Sequence, residues 1–493
     1  MDETVPLLRD ESLEHPPDSR KDSNAVDFDS RGDLDNPREW PNAYKWSIVT
    51  LLAFTSFTVT FTCISVVPIA TRIVADLSDG DSGNQKTASV LLVTIWELGE
   101  AAGPLLIAPF SEIFGRYPVI NVCNVLFTSA TVLAALCQNT TLFIFARVLT
   151  GVAVASNVLN PAIIGDLFVA EQRGTAMSLV VLAPIMGGAI GPAIAGAIAE
   201  TLGWRSVMWM SVALSGLAEA LFLTFFRETY PVTILARRTA RLRKETGNPD
   251  LHSVLDTQEG SEIAKFWNAI ARPVLVLLNS GVLQVLSLFS SLLFTYFYTI
   301  NTCLPDILQE RYGLTPAQTG SVFVFFSVGS APSILLLNRA LDRVYIWLRT
   351  RHKGVGQPEY RLPFTIVGGL AIPFVVLAYG WASEKVLPLP FLVLTIALLG
   401  SVMMLGMLPV FAYVVDAFHL YSASAMTAII VTRCLMGTFL PLATQPLVDR
   451  FGYGWAFTIF AAMSMAVAPI PLLVYRYGAA WRQRSFYTRD HEE

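Results

Sequence analysis

Charge is scarce in this sequence. Of its 493 residues only 15% are Asp, Glu, Lys or Arg, against 53% hydrophobic. A soluble chain of this length carries nearer a quarter charged residues. Here the apolar runs last about 20 residues each, the length that crosses ~30 Å of hydrocarbon. Histidine is scarce too: His15, His252, His352, His419 and His491 all fall in tails or loops, and no HExxH or GxSxG pattern occurs. That leaves no catalytic cluster inside the apolar segments and argues against an intramembrane enzyme. Cys63, Cys123, Cys137, Cys303 and Cys434 lie in or beside apolar segments without CxxC or metal-ligand spacing, so neither a disulfide framework nor a metal site is expected. No GxxxxGK[ST] loop is present, which excludes a P-loop ATPase, and no cofactor is expected. The net charge of −4 is too small to suggest a nucleic-acid partner. The acidic, polar start predicts no cleavable signal peptide ahead of the first span.

What is present reads as an all-α membrane protein of twelve transmembrane helices in two six-helix halves. Residues 1–44 are expected to be a disordered cytosolic tail, because a stretch this polar cannot bury a core. Within it, Glu3 to Leu8 fits an acidic dileucine sorting pattern, a kind of match that also arises by chance. Residues 45–226 form the first bundle, 227–273 a cytosolic central loop, 274–477 the second bundle and 478–493 a cytosolic tail. Most of the 34 Lys and Arg fall on one side of this topology, which places both termini in the cytosol. Trp40 and Trp46 beside Lys45 form an interfacial anchor at the first span. In the central loop, Arg237, Arg238, Arg241, Arg243 and Lys244 belong either to a solvated linker or to an amphipathic helix on the inner leaflet.

A short polar turn, Ser111 to Arg116, joins spans 2 and 3. Ser111-Glu-Ile-Phe-Gly-Arg116 resembles the D-x-x-G-R core of the loop 2–3 signature of the major facilitator superfamily. The longer run from Gly103 to Arg116 looks like the variant found in fungal drug:proton antiporters with twelve transmembrane helices. Glu112 stands where the general signature has Asp, and Ala108 where it has Gly. Arg147-Val-Leu-Thr-Gly151 in span 4 is similar to the family's R-x-x-x-G motif, with Thr150 in place of Gln. Span 5 carries Gly187-Gly-Ala-Ile-Gly191-Pro192-Ala-Ile-Ala-Gly196, which resembles the antiporter signature with its final Gly-Gly reduced to Ala195-Gly196. Gly187 and Gly191 share a face that lets a neighbouring helix approach closely, and Pro192 bends the span. Asn36 to Pro41 and Pro358-Glu-Tyr-Arg-Leu-Pro363 are similar to further fungal-type elements. The resemblance implies a monomer that works by alternating access, exporting a hydrophobic or amphipathic small molecule (a drug, toxin or secondary metabolite) in exchange for protons. It implies the plasma membrane, with a vacuolar or endosomal membrane as the alternative. A proton-coupled nutrient importer of the same fold is the rival reading.

Glu97 and Glu100 are the candidate proton-coupling carboxylates. They are three residues apart on one helix face and about 18 and 14 Å from the inner end of span 2, which brackets the midplane. Carboxylates there are too costly to keep unless they face a cavity or pair with an arginine. Arg433 lies about 16 Å into span 11, too deep to snorkel. Arg147 either faces a wet cavity or a partner, as a further candidate for the proton-coupling and substrate cavity, or snorkels to the outer interface. Glu219 in span 6 is a reserve carboxylate. Aromatics of spans 7 and 8 (Phe289, Phe294, Tyr296, Phe297, Tyr298, Phe323, Phe325, Phe326) either line a pocket or pack against helices and lipid. If the first half folds as the family does, Glu112, Arg116, Asp166 and Arg173 form an ion-pair latch whose pairs break as the cytosolic side opens, with Gly115 allowing the tight turn. Asp342 and Arg343 echo it in the second half. The alternative is that Arg116 serves orientation alone. The sequon at Asn139 is expected outside yet too close to the membrane for glycosylation.

Overall fold

The computed structural model describes residues 24–28, 33, 35–78, 85–255, 262–352, 356–418 and 421–488, without the side chains of 157, 170, 171, 262–266, 268 and 269. Among the described residues the regular secondary structure is helical apart from a two-residue parallel pairing of Ala25–Val26 with His252–Ser253. Ten stretches are long and apolar enough to cross a membrane. The last of them, Ser422–Arg482, folds back on itself at Gly452, whose φ of 76° no helix accommodates, and so crosses twice. Span 4 is two short helices, Thr140–Val152 and Ser156–Leu167, separated by a break of three residues. The described residues therefore make the twelve crossings the sequence implies. We call the face at which span 1 begins and span 12 ends the tail face, and the opposite one the far face.

Tight turns fix the antiparallel neighbours. Gly115, between spans 2 and 3, has a φ of 96°, a backbone setting that side chains with a Cβ rarely adopt. Small residues fix the close crossings. A Cβ at Gly187 would lie 2.6 Å from the Phe57 carbonyl oxygen of span 1, so span 5 lies backbone to backbone against span 1. Further along span 5, Gly196 meets the Pro316 backbone, and Gly320 of span 8 meets that of Pro192. The far-face end of span 5 thus docks on the second half through reciprocal glycines.

Polar contacts between the halves lie at the midplane or toward the far face among the described residues. Thr94 Oγ1 of span 2 donates to the Thr438 carbonyl of span 11 (3.1 Å), and Glu200 Oε2 accepts from the Ala317 amide (3.3 Å). Gln309 donates to the Pro68 carbonyl, and Lys86 pairs with Asp449 at 3.5 Å. On the tail face the helix Glu262–Asn279, which leads into span 7, packs against spans 2 and 11.

The tail expected to lack structure is tied down where it is described. Asn24 and Val26 carbonyls accept from the His252 and Val254 amides, Asp33 pairs with Arg238 at 2.5 Å, and Trp40 is buried. Backbone pairing with the central loop supplies an order that polar composition alone does not reveal. Residues 1–23, with the Glu3–Leu8 pattern, lie outside the described residues. In the central loop the basic cluster belongs to a regular helix, Pro231–Thr246, closed by Gly247 in the left-handed region.

Candidate functional site

Glu97 and Glu100 sit on the span 2 helix, Gln85–Ile113, 0% and 3% exposed. Both are held by the other half of the molecule. Tyr298 Oη of span 7 donates to Glu97 Oε1 at 2.5 Å, and Arg433 Nη2 of span 11 donates to Glu100 Oε1 at 3.3 Å. The Arg433 guanidinium lies over the Phe294 ring, 4.3 Å from its centroid, and Phe294 packs on Tyr298 at 5.4 Å. Phe294 and Tyr298 are four apart on one helix, so a single face of span 7 supports both the cation and the hydroxyl. Glu97 Oε2 and Arg433 Nε have no hydrogen-bond partner of good geometry. With Cys434, the two carboxylates bring three metal-capable atoms within 4.8 Å of one another. Arg433 already supplies a positive charge at that point, and a proton or a cationic substrate is the other species the acidic pair can accept.

These groups open onto a cavity of about 410 Å³ between the halves. Its wall is mostly apolar: Trp96 beside the acidic pair, Met177 on span 5, Met403 and Met404 on span 10, and a rim of aromatics. Of the aromatics singled out in spans 7 and 8, Phe294, Phe297, Tyr298, Phe323 and Phe326 line it. Phe289 and Tyr296 are buried elsewhere, Tyr296 donating to the Phe460 carbonyl of span 12, and Phe325 faces outward. Asn160, which donates to Ser56 Oγ at 2.7 Å, is a lining residue that sequence reasoning missed; an Asn before Pro161 in an apolar span was its only signal.

Arg147 is 2% exposed, so it does not snorkel to the interface. Nor does it line the cavity. Its Nη2 donates to the Cys63 carbonyl (2.9 Å) and its Nε to that of Leu92 (3.3 Å), binding span 4 to spans 1 and 2. The Cys63 oxygen is available because the span 1 helix stops at Ile64, and the last carbonyls of a helix lack internal partners. Glu219 lies away from the cavity, on span 6 beside Asn124 of span 3. Gly187, Gly191, Pro192 and Gly196 act in packing against spans 1 and 8.

On the tail face, Arg116 donates to Ser111 Oγ and to Asp166 Oδ2 (3.5 Å) and lies over the Tyr230 ring, 4.5 Å from its centroid. Glu228, absent from the sequence reading, caps the start of span 3: its carboxylate accepts from the Arg116 and Tyr117 amides at 2.9 and 3.2 Å. A Cβ at Gly115 would collide with that carboxylate. The other two expected members stand apart. Arg173 donates to the Gly165 and Phe168 carbonyls at the end of span 4, and Glu112 is exposed. In the second half Asp342 pairs with Arg361, not with its neighbour Arg343, because Arg343 points outward while Arg361 reaches back from loop 8–9. Arg361 also binds Asp416 at 2.8 Å and lies over Tyr345, 4.5 Å from the ring centroid.

The family model described as Major Facilitator Superfamily matches residues 46–441. The chain belongs to the major facilitator superfamily. Relatives match this facilitator along nearly its whole length. "Efflux pump radE" of Floropilus chiversii is 34% identical, over 95% of this chain and 86% of its own. "MFS-type transporter hepF" of Aspergillus oryzae is 31% identical, over 98% and 99%. Among solved structures, a D-xylose-proton symporter superposes with a TM-score of 0.65 at 17% identity, over 87% of this chain and 97% of its own. The E. coli xylose transporter XylE in a partially occluded inward open conformation gives 0.63 at 17%, over 88% and 99%. This facilitator is a multi-pass membrane transporter and not an enzyme.

Proposed function

We propose that this facilitator exports hydrophobic or amphipathic small molecules in exchange for protons, with both termini in the cytosol. The carrying observation is the buried pair Glu97–Glu100 on the first half, held by Tyr298 and Arg433 of the second, at the wall of an apolar and aromatic cavity. Protonating Glu100 removes the charge that Arg433 binds, so the contact between halves weakens at the point where they must part. Releasing the proton restores that contact. An amphipathic compound in the cavity competes for the same groups, through Arg433 and the carboxylates at its polar end and the aromatics and methionines at its apolar end. That competition is what exchange requires. Export is supported by the name of the first relative, an efflux pump.

Each tail-face cluster joins elements at its own end of one half, so we read the clusters as braces that keep each half rigid rather than as a gate between halves. The test of the transport reading is proton movement driven by a transported compound in vesicles, with wild type, Glu97→Gln and Glu100→Gln compared. Loss of coupling in at least one variant, at normal expression, is expected. Retained coupling in both overturns the assignment.

A further inference from the structure

The wall of the central cavity carries more polar groups than the acidic pair and its partners use. Trp96 of span 2, Asn160 of span 4 and Asn301 of span 7 all line it, and all three are buried. Trp96 Nε1, Asn160 Oδ1 and Asn301 Nδ2 have no hydrogen-bond partner of good geometry within the protein, and neither has Arg433 Nε on span 11. Buried polar groups are nearly always paired, because an unpaired one loses its water and gains nothing in return. Four side-chain nitrogens are buried without such a partner among the described residues, and three of them, on Trp96, Asn301 and Arg433, belong to this one cavity. That concentration points to a ligand that pairs them.

The kind of group on offer narrows the ligand. Trp Nε1 and Arg Nε can only donate, and Asn301 Nδ2 is the donor end of its amide, so three spans present N–H groups. Asn160 presents an acceptor, and its amide cannot be turned round. Ser56 Oγ gives its one hydrogen to the Leu52 carbonyl (3.0 Å) and so must accept from Asn160 Nδ2 (2.7 Å), which leaves Asn160 Oδ1 unpaired. Asn301 lies seven residues beyond Phe294 and three beyond Tyr298, on the same face of span 7. Glu97 Oε2 is unpaired as well, but in the exchange reading the acidic pair is where the proton binds. A cationic compound fits this wall poorly. Arg433 already stands on it, and like charges repel strongly where water does not screen them.

We propose that the exported compound is an uncharged or acidic oxygenated aromatic, a phenolic ketone or quinone, and that Trp96, Asn160 and Asn301 set this specificity. The proposal deepens the export reading above and rests on it. Carbonyl oxygens of the compound accept from Trp96, Asn301 and Arg433, a hydroxyl donates to Asn160 Oδ1, and the ring lies among the aromatic side chains of the wall. A site that pairs such groups rejects an analogue lacking them, because its own groups then stay buried and unpaired.

The test is equilibrium binding to the full-length transporter in lipid nanodiscs, at one pH and without a proton gradient, with binding to empty discs subtracted. The probes share one tricyclic frame: danthron, a dihydroxyanthraquinone; anthracene, which lacks the oxygens; and aminacrine, a cationic aminoacridine. Danthron is expected to bind at least about tenfold tighter than either of the others. Trp96→Phe, Asn160→Leu and Asn301→Leu are each expected to weaken danthron about fivefold or more while anthracene stays within about twofold, which also shows that the cavity is intact. Trp96→Phe removes only an N–H and carries the test should a Leu variant not fold. The proposal is overturned if aminacrine binds as tightly as danthron, or if danthron binds no tighter than anthracene. It is overturned too if danthron affinity is unchanged in Trp96→Phe and in every folded Asn variant. Failure of the exchange reading shows separately, as retained coupling in Glu97→Gln and Glu100→Gln vesicles, since binding here needs no gradient.

Discussion

The two halves share their braces and differ in their chemistry. Arg116 in the first half and Arg361 in the second each bind an aspartate near the tail-face end of a neighbouring span, Asp166 and Asp416, and each lies 4.5 Å from a tyrosine ring centroid. At the midplane the likeness ends. The first half places Glu97 and Glu100 there, and the second answers with Arg433 on Phe294 and with Tyr298. The repeated scaffold supports the reading of the clusters as braces, while the proposed exchange rests on acids on one side meeting a cation on the other. Even the braces are unequal. The Arg116 side chain is 9% exposed and its loop is capped by Glu228, whereas Arg361 is 18% exposed and one of its partners, Asp342, is 73% exposed.

The largest effect is expected at Gly115, a positive-φ glycine with no counterpart among the described residues of loop 8–9. Gly115→Ala must adopt a φ of 96° and push its Cβ into Glu228, so we expect at least about 1–3 kcal/mol of destabilisation, read as a lowered thermal midpoint of the solubilised protein and little surface expression. An unchanged midpoint would show that the capped turn is not what holds loop 2–3. Next is Arg433→Lys, which keeps the charge but loses the planar stack on Phe294. Transport is expected to fall tenfold or more with the thermal midpoint nearly kept, since the change touches the site and not the scaffold. Normal transport would reduce Arg433 to a point charge.

The braces themselves come third. Arg116→Lys is expected to lower transport and the thermal midpoint more than Arg361→Lys does, because lysine keeps the charge but loses the planar fork, and the Arg116 side chain is the more buried of the two. Equal effects would erase the difference between the halves, and normal transport by Arg116→Lys would remove the brace from the mechanism. The smallest effect is expected for Asp342→Asn: a pair this exposed contributes about 0–1 kcal/mol, and the loss should shrink further in high salt. A large, salt-insensitive loss would mean that Asp342 does more than hold Arg361.

The parts of the site that were legible are those that break a local rule. Glutamates and arginines in apolar spans are costly enough to stand out, so Glu97, Glu100, Arg433 and Glu219 could be named without a structure. Their partners could not. Tyr298 and Phe294 are ordinary aromatics in an aromatic-rich span, and only the packing of spans 7 and 11 onto span 2 separates them from Tyr296 and Phe325. Arg147 was conspicuous for the same reason as Arg433, yet it binds helix-end carbonyls instead of lining the cavity. Asp342 and Arg343 echo the loop 2–3 motif by their place after span 8, yet Asp342 binds Arg361, since neighbours in a helix turn to different faces.

The sequence by itself determined the number of spans, their grouping into two sixes, the family and the presence of acids and bases at membrane depth. Those follow from local composition, since about 20 apolar residues are a span wherever they fold, and a charge within them is costly against any neighbour. Only the tertiary structure decided which charges meet, that the far-face ends of spans 5 and 8 interlock, that Glu228 caps the turn after Gly115, and that a break in span 4 leaves a small pocket lined by Asn124 and Ser156. Each of these depends on residues far apart in the chain sharing a few ångströms of space, which the three-dimensional packing of the helices settles.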